Sequence, residues 1–556
     1  MLDIRYFNAV DSLKYTPVAR LPIQIKQLFK EYPIGGVILF RENLTNITNI
    51  VKLTRELQVN TKFGRLIGLD QEGGIITRIA EATDTPGNMA LGAINNTQIT
   101  AKVASLIGRE LKALGINLNF APCLDVNSNP NNPVIGLRSF GSNPNLVSTH
   151  GCAFSNGLKE QQIISCVKHF PGHGDVSTDT HFAATYVNRS AVEIEKCDLL
   201  PFQESINNGV DMVMTAHIIV PRLDNSQLYS NINEVLVDTP ATLSQTIISK
   251  ILRKQMGFNG VIASDALDME AITNNFDAVD ATILALTAGV DLIMMPIRIW
   301  NEYGIQEFIK YFDCIHNICS ASSELKDRVR ESCYRILRLK AKYNIGNTNL
   351  DSKRQILAAR KIVGGSKHRQ FEQSTAAAAI TLYRNVKKVL PWKSSPQDNI
   401  FIISKSPTLA EDAQQALANL GFSNGTISIF NDEQPLDDLI KQIQAADKVL
   451  VLTYNLNKTD ANLDYIINRL NHFHKPYVML SCRNPYDILY VKDVATNVLV
   501  FGVSGLDQTN NYQTRPFLLN LNQAIIKIFT ATEEQDFNLH ASIDLSIPPI
   551  NVVKKS

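Results

Sequence analysis

Over the first 345 residues, short apolar runs alternate with amphipathic stretches of helical length. The runs at 35–40, 65–70, 117–122, 163–170, 210–217, 260–265 and 291–296 are rich in Val, Ile and Leu, with little polar alternation. Strands of a parallel sheet buried on both faces read this way. Between them, 99–114 and 243–255 are long enough to be crossover helices. The repeated rhythm predicts an α/β fold, an N-terminal (β/α)8 TIM-like barrel over 1–345, with seven of its eight strands visible.

The rhythm breaks after Tyr343. Residues 346–370 contain GNTNLDSK and VGGS, turn-forming sequences that predict a linker with one short helix. A helix at 371–383 then leads to strands at 399–404, 426–430, 448–454, 477–482 and 497–503. Residues 371–556 are therefore expected to form a C-terminal α/β (αβα) sandwich domain. The Gly502-Val-Ser-Gly505 turn is a lone glycine pair and too little to predict phosphate binding.

Composition narrows the partners. The chain has 556 residues, and Lys+Arg 54 against Asp+Glu 53 leaves a net charge of +1. No nucleic acid and no membrane is expected as a bulk partner, whereas a neutral partner such as a sugar suits this balance. The first twenty residues contain two Asp and no apolar run of signal type, and no stretch of about 20 apolar residues follows. The eight cysteines are scattered without paired spacing, as reduced core residues of a cytoplasmic protein would be. Cys314, His316 and Cys319 lie close in sequence, but on a helix Cys314 and His316 point about 200° apart. No metal is expected there.

Several predicted strands end in a polar residue able to react: Asp70, the Lys168/His169 pair, His217 and Asp265. A barrel gathers its active site at those carboxyl ends. The densest stretch, Lys168 to His181, holds three His, two Asp and a Lys within 14 residues. In it Asp179 and His181 are two apart, so the carboxylate can orient one imidazole nitrogen while the other faces outward. Asp265 falls where its apolar strand gives out, and a carboxylate there can stabilise or attack an electron-poor carbon. Asp268 and Glu270 suit the first turn of a following helix. Asp70 with Arg78 eight residues on, and Arg138 in a turn-rich loop, add charged groups of the kind that bind sugar hydroxyls.

In chain order, GLDQEGG (68–74), FAPCLDVN (120–127), NPVIGLRSFG (132–141), KHFPGHG (168–174) with its following DTH (179–181), and IASDALDMEA (262–271) closely resemble glycoside hydrolase family 3. The likeness is to its β-N-acetylglucosaminidase branch and covers the whole predicted barrel. AAAAITLYRNVKKVLP (376–391) is similar to the family's helix entering a second α/β domain. The resemblance implies that Asp265 is the nucleophile, His181 the acid/base and Asp179 its partner. It further implies that Asp70, Arg78, Arg138, Lys168 and His169 bind the non-reducing-end sugar. Gln71 replaces the usual His, while Ala266 and Asp268 stand where Asp and Ser are common; none of these removes a catalytic group.

The implied activity is that of a retaining exo-β-N-acetylhexosaminidase acting on small oligosaccharides or muropeptides, with no cofactor and no metal. Such an enzyme needs a nucleophile and a proton donor on opposite faces of the bond. A histidine donor has an ordinary pKa near 6.5, suited to giving and then taking a proton at neutral pH. Two alternatives stand beside it. A histidine repels incoming phosphate less than a carboxylate does, so a β-N-acetylglucosaminide phosphorylase is possible. A non-catalytic sugar-binding or regulatory protein is the other, although binding alone needs no nucleophile.

Overall fold

The computed structural model describes residues 1–8, 15–59, 61–176, 185–346, 351–431, 435–456, 458–502 and 519–539. Asp179 and His181, the expected acid/base pair, lie outside these.

An eight-stranded parallel sheet forms the barrel: β1 (Leu2–Asp3), β2 (Gly36–Ile38), β3 (Leu66–Leu69), β4 (Leu118–Asn119), β5 (Ile164–Phe170), β6 (Met212–Thr215), β7 (Val261–Ala266) and β8 (Leu292–Met294), each hydrogen-bonded to the next. The Met1 amino group donates to Ile293 O (2.6 Å) and Met295 N to Met1 O (2.9 Å), which joins the last strand to the first. All seven expected strands are present. The eighth is β1, whose two residues are too few to show any periodicity.

Alternate strand residues face opposite ways. Leu66, Leu118, Ile164, Met212, Val261 and Leu292 fill the barrel interior, while Ile67, Leu69, Val167, Val213 and Ile262 face the surrounding helices. Both sides are apolar, which is why the strand sequences showed no alternation. Helices α1 (Thr97–Leu114) and α2 (Pro144–Glu160) begin at Asn96 and Asn143, whose side chains each accept two backbone N–H groups of the first turn.

The second sheet holds β9 (Thr381–Asn385), β10 (Ile400–Ser404), β11 (Thr426–Ile429), β12 (Lys448–Thr453), β13 (Tyr477–Ser481) and β14 (Thr496–Leu499), in the order β9-β14-β13-β12-β10-β11. Only β9 is antiparallel to its neighbour. The helix expected at 371–383 runs instead over Ser366–Ala379, and Thr381–Asn385 leaves it as this edge strand. The β-branched and aromatic residues Thr381 and Tyr383 suit a strand better than a helix. In the segment read as a linker, Ser352–Ile362 is a helix.

The two sheets meet through one apolar cluster. Ile75, Met89 and Leu137 of the barrel share it with Tyr486, Ile488 and Phe501. Asn127 Nδ2 donates to Tyr486 Oη (2.8 Å) and Tyr490 Oη to Asn131 Oδ1 (2.6 Å). The second sheet's residues thereby hold the 127–138 segment that ends in Arg138. Among the described residues, no helix is long and apolar enough to cross a membrane.

Candidate active site

The carboxyl ends of β3, β5 and β7, with the segment after β4, bring charged side chains into one buried network. Lys168, itself only 2% exposed, lies 2.7 Å from Asp70 Oδ1 and 2.7 Å from Glu72 Oε1. Arg138 grips Glu72 with two bonds, Nε to Oε2 (3.0 Å) and Nη2 to Oε1 (2.8 Å). Arg78 Nη2 reaches the other oxygen of Asp70 at 3.4 Å. Two carboxylates thus face three cations. Burial pushes the Glu72 carboxyl upward, but Arg138 and Lys168 outweigh it and bring it down to about 2. Burial opposes Lys168, Arg78 and Arg138 at Asp70 as well, and the cations again win, holding it below the usual carboxylate range.

His169 enters this network from the end of β5, after a cis peptide to Lys168. Its Nδ1 lies 2.7 Å from Asp125 Oδ2 and its Nε2 3.3 Å from Arg138 Nη2. A carboxylate can only accept, so Nδ1–H donates to Asp125. Asp125 also accepts from the backbone N–H of His169 (3.3 Å) and of His173 (2.7 Å), and from the Cys123 thiol (3.0 Å). Cys123, Asp125 and His169 place metal-ligating atoms within 4.8 Å of one another. Burial and the neighbouring Asp125 push the Cys123 thiol well up, so it keeps its proton. Asp125 is spoken for by four donors, and its task is to orient His169.

Asp265 sits near the end of β7. The Ala266 N–H donates to its Oδ1 at 2.8 Å. Burial pushes its carboxyl upward, yet His217, His169, the Ala266 N–H and Lys168 together hold it below the usual range. Lys168, already paired with Asp70 and Glu72, thus also helps to keep Asp265 ionised. His217, just past β6, donates from Nε2 to Ala266 O (2.9 Å).

The structure brings Asp70, Arg78, Arg138, Lys168 and His169 together and places Asp265 within their electrostatic reach. Sequence reasoning passed over Glu72 and Asp125 as site residues, although both lie in motifs it had singled out, and left His217 as a bare strand-end histidine. Burial and pairing were the missing signals. Pro171–Gly174 is buried, and a Cβ on Gly174 would meet Val126 O at 1.7 Å, so only glycine allows this close approach.

Comparison with known proteins agrees with this geometry. Residues 10–339 match the N-terminal domain of glycosyl hydrolase family 3. The chain is 38% identical over 462 residues to β-hexosaminidase A of Pseudoalteromonas piscicida, covering 80% of this chain and 76% of that one. A family 3 β-N-acetylglucosaminidase from Paenibacillus sp. superimposes with a TM-score of 0.74 at 27% identity, over 95% of this chain and 96% of that one. A fungal multi-domain family 3 β-N-acetylglucosaminidase superimposes with a TM-score of 0.77 at 27% identity; the match covers 95% of this chain but 59% of that longer one. Relatives of one family, matched over both sheets, accompany a barrel mouth built of paired charges around a lone carboxylate: the chain belongs to glycosyl hydrolase family 3 and is a glycoside hydrolase.

Proposed function

We propose that this chain is a retaining exo-β-N-acetylhexosaminidase that removes terminal β-linked N-acetylglucosamine from peptidoglycan- or chitin-derived fragments. The observation that carries the reading is Asp265: a carboxylate at a strand end, kept ionised by His217, His169 and Lys168. Asp70, Arg78, Arg138, Lys168 and His169 hold the hydroxyls of the sugar to be released, and Glu72 and Asp125 keep those groups in place. A network already locked by salt bridges needs no reordering when substrate arrives.

In the first step an Asp265 oxygen attacks the anomeric carbon, and the bond to the leaving oxygen breaks as His181 gives that oxygen its proton. In the second, His181 takes a proton from water, the water oxygen attacks the same carbon, and the ester to Asp265 breaks. Two inversions leave the anomeric configuration retained. Asp179 orients His181.

The test is trapping. Incubation with a slow fluorinated N-acetylglucosaminide, digestion and mass spectrometry should find the label on the Asp265 peptide. Label on another carboxylate overturns the assignment. Product analysis with and without phosphate separates hydrolysis from phosphorolysis, and the free sugar is expected in both.

A further inference from the structure

One buried hydroxyl beside the end of β6 has more partners than protons. Thr242, in the short turn Ala241–Leu243, and Thr215, the last residue of β6, are both fully buried, and His217 is buried with them. Thr242 Oγ1 lies 2.9 Å from Ala216 O, 2.8 Å from Thr215 Oγ1 and 2.9 Å from His217 Nδ1. A hydroxyl brings one proton and two lone pairs, and a carbonyl can only accept. The Thr242 proton therefore goes to Ala216 O, and its lone pairs face Thr215 and His217, which both donate. Nδ1 of His217 then carries a proton. Its Nε2 carries one too, because it donates to a second carbonyl, Ala266 O (2.9 Å). A neutral ring would leave one of these buried contacts without a proton. The state that satisfies them all is an imidazolium.

That charge sits where the reaction can use it. Ala266, the last residue of β7, is held at both ends: its C=O accepts from His217, and its N–H donates to the Asp265 carboxylate at 2.8 Å. His217 thereby fixes the residue that fixes the nucleophile. Burial pushes the Asp265 carboxyl up, and of the groups that bring it down His217 acts most strongly, ahead of His169, the Ala266 N–H and Lys168. Cys166 also lies within reach of Asp265, and burial pushes its thiol up, so it stays neutral. Asp238, which accepts from Tyr186 Oη (3.0 Å), borders one cavity with His217 and is a second carboxylate beside the ring.

Resting on the hydrolase reading above, we propose that His217 is a positioning residue, held as an imidazolium by Thr242, which orients Asp265 through Ala266 and offsets its negative charge. A buried anion with a cation beside it keeps its charge away from water. The nucleophile is then ionised before substrate arrives, and its charge meets a partner again when the carboxylate leaves the sugar in the second step. Thr242 acts one residue further out, by accepting the Nδ1 proton that a neutral ring would lack.

The experiment has two readouts on the full chain. Nitrogen NMR of histidine-labelled protein reports ring protonation, with the His217 signal identified by its loss in His217→Gln. At pH 7 both His217 nitrogens should carry protons in the wild type, and Thr242→Val, which removes the acceptor but keeps the shape, should turn the ring neutral. The second readout is kcat/KM against pH on 4-nitrophenyl β-N-acetylglucosaminide. His217→Gln can still donate to Ala266 O but holds no charge. It should lose about 10–100-fold at pH 7 and move the acidic limb of the profile up by about one pH unit, because a carboxylate without its cation ionises at higher pH. Thr242→Val should move the limb the same way, and Thr242→Ser, which keeps the hydroxyl, should restore it. The Thr242 pair carries the kinetic test even where His217→Gln fails to fold. A neutral His217 in the wild type at pH 7, or an acidic limb that stays in place when the charge is removed, overturns the proposal. A wild type inactive on the aryl glycoside at every pH, with His217 doubly protonated, instead overturns the hexosaminidase reading, and the positioning role with it.

Discussion

Two buried acids, one in each half of the molecule, end in opposite states. Glu72 in the barrel mouth and Asp487 behind the second sheet are both nearly inaccessible. Burial pushes each carboxyl upward. At Glu72 the two-bond grip of Arg138 and the Lys168 ammonium reverse the push and bring it down to about 2. At Asp487 the opposing groups are the Thr453 hydroxyl, the Leu456 N–H (2.7 Å) and a less intimate Arg483, and the carboxyl ends up at about 7. Depth alone does not settle the charge of a buried acid; the partners do. The acid of the barrel mouth stays charged because Arg138 and Lys168 pair with it.

The comparison would break most sharply at Asp265. Asp265→Ala should lower kcat on any N-acetylglucosaminide by about 10⁴-fold or more with an unchanged circular dichroism spectrum. Turnover in that variant would mean that the ionised mouth serves binding alone.

His181→Ala is expected to cost about 10²–10⁴-fold in the glycosylation step on a disaccharide, whose alkoxide must be protonated as it leaves. On an activated aryl glycoside the same step should lose far less, because nitrophenolate departs unaided. Pre-steady-state bursts on both substrates measure this. Equal losses would remove His181 as the acid, while Asp179→Ala should give a weaker form of the same pattern.

Lys168→Met probes the pairing itself. It strips Asp70 and Glu72 of their shared cation, and breaking a buried pair costs about 3–5 kcal/mol. Urea unfolding at pH 7 should show that loss together with weaker substrate binding. A variant as stable as the wild type would mean that Arg78 and Arg138 suffice.

The smallest effect is expected at Asp487, and its sign separates the two halves. Its folded pKa lies above the unfolded value, so its contribution is present below about pH 4 and lost as pH rises toward 7. Glu72 behaves oppositely: its contribution is present above the ordinary value of 4.5 and lost as pH falls toward 2. Asp487→Asn should therefore gain steadily on the wild type between pH 4 and 7 and level off above. Denaturant midpoints across that range decide it; a constant difference would place the Asp487 titration elsewhere.

Much of this was legible in the chain. Seven barrel strands could be read because residues buried on both faces leave unbroken Val/Ile/Leu runs, and the polar residues closing those runs marked Asp70, Lys168, His169 and Asp265. Five ordered motifs pointed to the family, and with it the arginines. These are local signals, carried within a few residues of chain. What only the tertiary structure decided is contact between distant segments. Glu72 meets Arg138 across 66 positions and Asp125 meets His169 across 44. Met1 bonds Ile293 to close a barrel whose first strand has two residues, and Tyr486 bonds Asn127 across the two sheets. Side chains write their own polarity into the sequence, but a charge pair belongs to neither residue alone. Whether a buried acid finds a cation, as Glu72 does, or ends near neutrality, as Asp487 does, is settled only when folding brings the partners together.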